Sequence, residues 1–387
     1  MVSHSGGFTG GAELGFVDIM RAIQSQLPDV EVIAAFPRNG RLAQECAKLG
    51  ARTQIGLVPW WAYVNWRTVF HGLLSPRLFL RVSPLLLIPG ILQAVWLQLR
   101  LRPTVVLTNT MVIPSHAFAA KILGLPHYWM VREFGRDDHG FRFIFGYERS
   151  IKLIGRLSKL VICNSSAVER VITAGCPRAA TRVLYPVIEP QMVIEPQMVG
   201  PRLRQVPTRL RAVLVGRLTE SKGQHIALEA ISIARKSGVD IELALVGPGD
   251  REVLSTMIRR LKIQDLVTVS GQTEDVSACF DQADVSLTCS RSEAFGRVTV
   301  EAMSAGLPVC GTDAGGTSEI IRPGVNGLLS PAGDAAALAK NLVALALDKE
   351  LLRDLAVGAL ATSQHFRRQR FDRELAAIIT PAFGYFT

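Results

Sequence analysis

Glu293 and Glu301, two carboxylates eight residues apart, are the most chemically suggestive pair in the sequence. They lie in the segment Ser292-Glu293-Ala294-Phe295-Gly296-Arg297-Val298-Thr299-Val300-Glu301. An apolar run ends near Cys289, and Arg297–Ala305 reads as a helix stopped by Gly306 and Pro308. Glu293 is then placed at the C-terminal end of a strand, and Glu301 one turn into the helix that follows. In an open α/β sheet that edge is where ligands bind. A helix start offers unpaired N–H groups to a phosphate, and Gly296 lets a ligand approach the backbone. Carboxylates flanking such a point can hold sugar hydroxyls on either side of the phosphates. Two Glu near a helix start are commonly only solvated, so the surrounding residues have to decide.

The elements that position these groups are clearest in the second half. Strands are predicted at Ala212–Gly216, Ile241–Gly247, Leu266–Ser270, Asp284–Cys289 and Pro308–Thr312. Between them the pattern predicts helices at Gln224–Lys236, Arg251–Leu261, Arg297–Ala305 and Asp334–Leu347. Strands that read as continuous apolar runs are buried on both faces, which means a parallel sheet covered by helices. The first half repeats the pattern less cleanly. Its strands are Val30–Phe36, Thr104–Thr108, His127–Arg132, Lys159–Cys163 and Arg182–Tyr185; its helices are Gly11–Gln26, Pro114–Leu123, Phe143–Gly155 and Ser165–Ala174. Only Met1-Val2 precede the polar Ser3-His4, so the first strand is either very short or begins upstream of this sequence, and the second reading is favoured. Two perfect hexapeptides, Val187–Met192 and Val193–Met198, separate the halves and read as a duplication in an extended, proline-bearing linker.

The Glu293–Glu301 segment resembles the Glu-x7-Glu motif of the retaining glycosyltransferase family 4. Val215-Gly216-Arg217-Leu218…Lys222-Gly223 is similar to that family's Gly-Arg-Leu…Lys-Gly element, and Leu245-Val246-Gly247-Pro248-Gly249 to its glycine turn. Gly315-Gly316-Thr317-Ser318-Glu319 and Gly324-Val325-Asn326-Gly327 follow in family order, and Gly6-Gly7-Phe8-Thr9-Gly10-Gly11-Ala12-Glu13 resembles its glycine-rich loop. The resemblance implies an α/β chain of the GT-B fold, with two Rossmann-like doubly wound domains facing a central cleft. On that basis residues 1–186 form the acceptor domain, 187–207 the linker and 208–365 the donor domain. Residues 366–387 return to the first domain, with Phe366, Phe371, Leu375 and Ile378 packing there.

By the same resemblance Arg217 and Lys222 bind the donor diphosphate, Glu293 the hexose hydroxyls and Glu301 the ribose. Gly216 flanks the diphosphate site, while Phe295, Gly296 and Arg297 present backbone amides and Gly11 adds one from the other domain. Cations placed there would neutralise the leaving diphosphate as charge develops, with Arg gripping two oxygens and Lys acting as a point charge. The catalytic set is therefore Glu293, Lys222 and Arg217. One departure is that Arg132-Glu133 stand where the family commonly has a His. They are candidates for the acceptor side, while His116 and His127 read as structural. Ser165 or Ser166 is either a helix N-cap or a ligand contact. No Asp-x-Asp element is found, and Asp137-Asp138 lies in a polar loop, so no metal and no other cofactor is expected.

Composition narrows the classes further. With 387 residues, 48% hydrophobic and 20% charged, the chain is neither disordered nor fibrous. The net charge of +10 is uneven: residues 1–186 hold 21 Lys/Arg against 10 Asp/Glu, and residues 187–387 hold 22 against 23. An anionic partner is thus expected at the first half. Six scattered cysteines argue for reduced thiols rather than disulfides or zinc. The first residues lack the character of a secretory leader. Val82–Leu99 is the least polar stretch and reads as broken at Pro89-Gly90. Just before it, Trp60, Trp61, Tyr63 and Trp66 interleave with Arg67, Arg77 and Arg81. That pattern fits either a membrane interface or a buried helix with ordinary surface aromatics, and the positive excess favours the first.

The partners expected are a nucleotide-diphosphate sugar, a glycan or lipid-linked acceptor, and an anionic membrane touched peripherally; no nucleic-acid module is visible. The expected place is the cytoplasm, at the inner face of the plasma membrane. The alternatives are a GT-B sugar epimerase or phosphorylase and a non-catalytic sugar-nucleotide-binding protein.

Overall fold

The computed structural model describes residues 1–7, 10–64, 83–188, 209–273 and 275–383. It divides into two compact units, Met1–Val187 with Arg368–Thr387, and Ile188–Arg367. Of the hexapeptide repeat, only Val187 and Ile188 fall among the described residues.

The first unit has strands β1 (Ile33–Phe36), β2 (Arg52–Ile55), β3 (Val106–Asn109), β4 (His127–Val131), β5 (Leu160–Cys163) and β6 (Thr181–Val183). β1 pairs with β2, and β3 to β6 pair in sequence order, all parallel. Val2 joins the two groups by parallel bridges to Ala35 and Thr108. Val2 thus stands at the first-strand position of this sheet. With Val2 counted as its first position, the sheet has a strand-order reversal between Val2 and β3, the place where a doubly wound sheet opens.

Helices cover this sheet: α1 (Gly11–Gln26), α2 (Arg41–Lys48), α3 (Leu87–Leu101), α4 (Ser115–Ile122), α5 (Tyr147–Leu157) and α6 (Ser166–Gly175). In α1, Phe16, Ile19, Met20 and Ile23 fall at i, i+3, i+4 and i+7, and all four are buried. They meet Phe36, Leu107, Met130 and Ile162 from the sheet.

α3 corrects the expectation of a broken helix. Pro89 is its third residue, in the first turn, where a backbone N–H has no acceptor within the helix. Gly90 is buried, and a Cβ there would collide with the Pro59 ring. The Pro-Gly pair therefore serves helix entry and close packing. One member of the expected aromatic surface cluster is also corrected. Trp61 is fully buried, stacked on Trp129, and its Nε1 donates to the Met111 carbonyl at 2.6 Å. Trp60 is half-exposed beside His4 and Phe141. Trp66, Arg67, Arg77 and Arg81 lie outside the described residues.

The second unit holds six parallel strands: β7 (Leu210–Val215), β8 (Ile241–Val246), β9 (Val267–Ser270), β10 (Val285–Thr288), β11 (Val309–Thr312) and β12 (Gly327–Ser330). Their order is β9-β8-β7-β10-β11-β12, which places the reversal between β7 and β10. α7 (Gln224–Lys236), α8 (Glu252–Leu261), α9 (Arg297–Ser304), α10 (Ala335–Leu347) and α11 (Lys349–Ser363) flank it. Asp334 and Asp348 cap α10 and α11 by accepting from Ala337 and Leu351 N–H, each at 2.9 Å. Leu214, Leu228, Ile231, Leu245, Leu287 and Leu342 build one core.

The last helix, α12 (Arg368–Ile379), belongs to the first unit and packs on α1. Phe371 and Leu375 enter that core, with Ile378 packed against it. Arg368 binds the Asp18 carboxylate at 2.6 Å. Phe366, expected to join them, instead packs in the second unit, its ring 5.5 Å from that of Phe295. It ends the 3-10 turn Gln364–Phe366, just before the chain leaves that unit.

Candidate active site

In the second unit the two strands on either side of the reversal each lead into a predicted site segment. β7 ends at Val215, and Gly216 continues its ladder by donating to Val246 O at 2.9 Å. Arg217 follows, exposed, and its carbonyl accepts from the buried Gln224 side chain at 2.9 Å. Lys222 closes a short 3-10 turn, and Gly223 begins α7 with φ +72°. A Cβ on Gly223 would collide with the carbonyl of Cys289, the residue after β10. This close approach brings Lys222 to the loop that carries Glu293. The two side chains meet with Nζ 2.7 Å from Oε2, and both are partly shielded from solvent, at 35% and 20% exposure.

The backbone of Glu293 is held from its other side. Gly316 N–H donates to Glu293 O at 2.7 Å. A Cβ on Gly316 would lie 2.6 Å from both Ala294 O and Phe295 Cα, and Gly315 is equally tight against Glu293. Only glycines permit this collar. Phe295 is buried against Phe366. Gly296 is the N-cap of α9, with the Glu293 side chain next to it. The Thr299 and Thr288 hydroxyls, 3.1 Å apart, tie the first turn of α9 to the end of β10.

Arg297 and Glu301 stand one turn apart on α9, with Nε 3.7 Å from Oε1. Glu301 keeps 32% of its side chain exposed. Partial burial raises its carboxyl above the usual carboxylate range, and Arg297 draws it part of the way back. Arg297 Nη1 is buried with no hydrogen-bond partner. A buried guanidinium N–H left unpaired at a helix start is suited to an anionic or hydroxyl acceptor. The unit therefore gathers Lys222, Glu293, Gly296, Arg297 and Glu301 around the C-terminal edge of β10, with Gly216 and Arg217 on the β7 side.

The remaining predicted residues lie in the first unit. Gly11 opens α1, whose Ala12 carbonyl accepts from Asn109 Nδ2 at 3.0 Å. Arg132 reaches the same place: Nε donates to Asn109 Oδ1 at 2.8 Å and Nη2 to Gly15 O at 3.1 Å. Glu133 is buried and accepts from Met111 N–H at 2.7 Å and Arg132 N–H at 3.1 Å. Burial pushes its carboxyl up to about 7, with Asp138 adding to the shift and the two N–H donors and Arg132 opposing it. Thr110 sits at the strand reversal with φ +81°, a strained value for a β-branched residue.

His127 is buried between Thr108 Oγ1 at 2.8 Å and Ser158 Oγ at 3.3 Å, and burial holds it neutral, lowered to about 3. His116 is lowered to about 4 by burial. Ser165 is the N-cap of α6, accepting from Val168 N–H at 3.1 Å, and Ser166 approaches Tyr185 OH. Asp138 accepts from Phe134 and Gly135 N–H, each at 2.8 Å, and Asp137 pairs with Arg136. Among the described residues no group of three or more His, Cys, Asp or Glu gathers as metal ligands.

Sequence reasoning missed the structural duty of Gly315-Gly316, although the pair was visible directly after a predicted strand. It also missed the role of Cys289 as the backbone seat for Gly223, for which composition gives no signal.

Residues 202–359 match the family described as Glycosyl transferases group 1. The chain is 33% identical over 221 residues to the amylovoran biosynthesis glycosyltransferase AmsK of Erwinia amylovora, covering 54% of this chain and 53% of that protein. It is 35% identical over 173 residues to the phosphatidyl-myo-inositol mannosyltransferase of Mycobacterium leprae, covering 43% and 46%. The matches thus span about half the length of these relatives. A crystal structure of Anabaena Alr3699/HepE in complex with UDP-glucose superposes with a TM-score of 0.74 at 22% identity, covering 98% of each chain. The likeness shows the fold: this chain has the GT-B fold, built of two Rossmann-like α/β units.

Proposed function

We propose that this protein is a retaining glycosyltransferase of family 4. It moves a hexose from a nucleotide-diphosphate sugar to a glycan or lipid-linked acceptor in cell-surface polysaccharide or glycolipid synthesis. The observation that carries the reading is the Lys222–Glu293 pair, 2.7 Å apart at the strand reversal of the second unit, beside a helix start with an unpaired buried Arg297 N–H. The group 1 match over this segment supports it, as do the names of the two relatives. The UDP-glucose complex of HepE makes a UDP-hexose the first donor to try.

In this reading Lys222 and Arg217 answer the charge that grows on the departing diphosphate. The amides at Phe295, Gly296 and Arg297 receive sugar and phosphate oxygens. Glu293 accepts from hexose hydroxyls, and its ion pair with Lys222 fixes where it points. Glu301 accepts from the ribose. Gly11 offers a further amide to the donor diphosphate, while Arg132 and Glu133 belong to the acceptor side and act chiefly by shaping the strand end around Asn109 and Met111. The donor set needs no metal and no other cofactor, because cationic side chains and a helix start supply the positive field.

The test is a panel of UDP-, GDP- and ADP-hexoses, read first by thermal shift and then by transfer to acceptor extracts with NMR of the anomeric proton. Stabilisation by one donor class and a product that keeps the donor's anomeric configuration are expected. Inversion would remove the family 4 assignment. Absence of both binding and transfer across the panel would remove the glycosyltransferase reading.

A further inference from the structure

α3 carries two opposed faces. Leu87, Gly90, Ala94 and Gln98 are buried, and Gln98 Nε2 donates to His116 O on α4 at 3.1 Å. On the other side Ile88, Leu92, Trp96 and Leu99 follow at i, i+4, i+8 and i+11, with exposures of 47%, 63%, 56% and 58%. Leu85, one turn earlier, extends the row and is also exposed. An apolar stripe of this length is unusual on a surface in water. Its charge setting is one-sided. The described stretch 83–131 holds Arg100, Arg102 and Lys121 and no Asp or Glu. Arg100 and Arg102 stand at the end of α3, and the Arg100 guanidinium lies over the Trp96 ring at 5.3 Å.

We propose that this outer face of α3 docks the first unit onto an anionic lipid surface, the helix lying in the plane of the interface. Ile88, Leu92, Trp96 and Leu99 enter the acyl boundary while Arg100 and Arg102 meet lipid phosphates. Pro84–Leu101 is long and apolar enough to cross a bilayer by composition. Its other face is committed to α4 and to the bond with His116, so it lies on the membrane rather than through it. Charge selects lipid over a second copy of the chain: pairing two such faces brings Arg100 and Arg102 of both copies together, and the stretch 83–131 supplies no carboxylate to answer them. Of the expected Trp60–Arg67 cluster, Trp61 is internal and takes no part in this contact.

Sedimentation of the full chain with vesicles decides this, independently of any transfer activity. Vesicles of phosphatidylcholine alone and of phosphatidylcholine with phosphatidylglycerol are compared at low and high salt. Binding is expected to favour the anionic vesicles and to weaken with salt. Leu92→Glu and Trp96→Glu should each lower binding roughly tenfold or more, because a charge is forced into the acyl boundary. Arg100→Gln with Arg102→Gln should lose about fivefold per cation at low salt only. Leu347→Glu, at a 73% exposed site in the second unit, should change nothing. Circular dichroism confirms that each variant is folded. Wild type left in solution with both vesicles would overturn the proposal, as would Leu92→Glu binding like wild type. So would a dimer, seen by light scattering, that Leu92→Glu dissolves, for then a second copy covers the face.

Discussion

Lys222 and Glu293 lie 71 residues apart in sequence and 2.7 Å apart in space. If the pair works as one unit, its two losses do not add. Lys222→Ala or Glu293→Ala should each reduce turnover by roughly 10²–10³, and the double variant should be little worse than either. A double variant whose losses multiply would show two independent contacts. Glu133 yields a pH prediction. Its folded carboxyl sits at about 7 against an ordinary 4.5, so the folded state holds the proton more tightly than the unfolded chain. The stabilisation is complete below the ordinary value and drains away as pH rises through about 7. The urea midpoint of the wild type should therefore fall across that window, while that of Glu133→Gln stays flat; parallel curves would mean that Glu133 ionises freely. At this scale the sequence was partly legible. Residue types and family order singled out Lys222, Glu293 and Arg297. Nothing in the order of residues indicated that Arg132 would turn onto Gly15 and Asn109, because that contact is made by tertiary packing.

Elements were legible where a pattern is local. α1 and α7 run over the residues their periodicity predicts, since one apolar stripe and a glycine at the start suffice. The buried strands announce themselves as unbroken apolar runs. β12 was passed over because Gly-Leu-Leu-Ser is too short and too mixed to stand out, and its pairing with β11 is what makes it a strand. α3 was read as broken because proline was weighed without its position in the helix. The most testable element is the turn that delivers Lys222. Gly223→Ala meets two costs, a positive φ and a collision with the Cys289 carbonyl. Gly238→Ala, at φ +84° with open space around it, meets only the first. Both variants should lose stability by about 1–2 kcal/mol from the backbone alone. Gly223→Ala should lose more, and only it should blunt the thermal shift produced by the donor. An equal donor shift in both variants would free Lys222 placement from that turn.

For the molecule as a whole, the uneven charge and the two-unit architecture belong together: the basic surplus lies on the unit that carries the exposed stripe of α3. The tie between the first unit and α12 can be measured. Leu375 is fully buried in the core that α1 and α12 share, so Leu375→Ala should cost roughly 2–5 kcal/mol. The loss should be confined to the first unit, so a melting profile resolved by unit should shift one transition and leave the other; a uniform shift would show a single cooperative block. That same return of the chain sets an order on synthesis. Residues 188–367 are continuous and can fold as soon as they leave the ribosome. The first unit, begun earlier, waits with its α1 face uncovered until Phe371 and Leu375 emerge. The unit translated first is thus completed last, and through that interval an apolar face is open to whatever chaperone or misfolded partner reaches it.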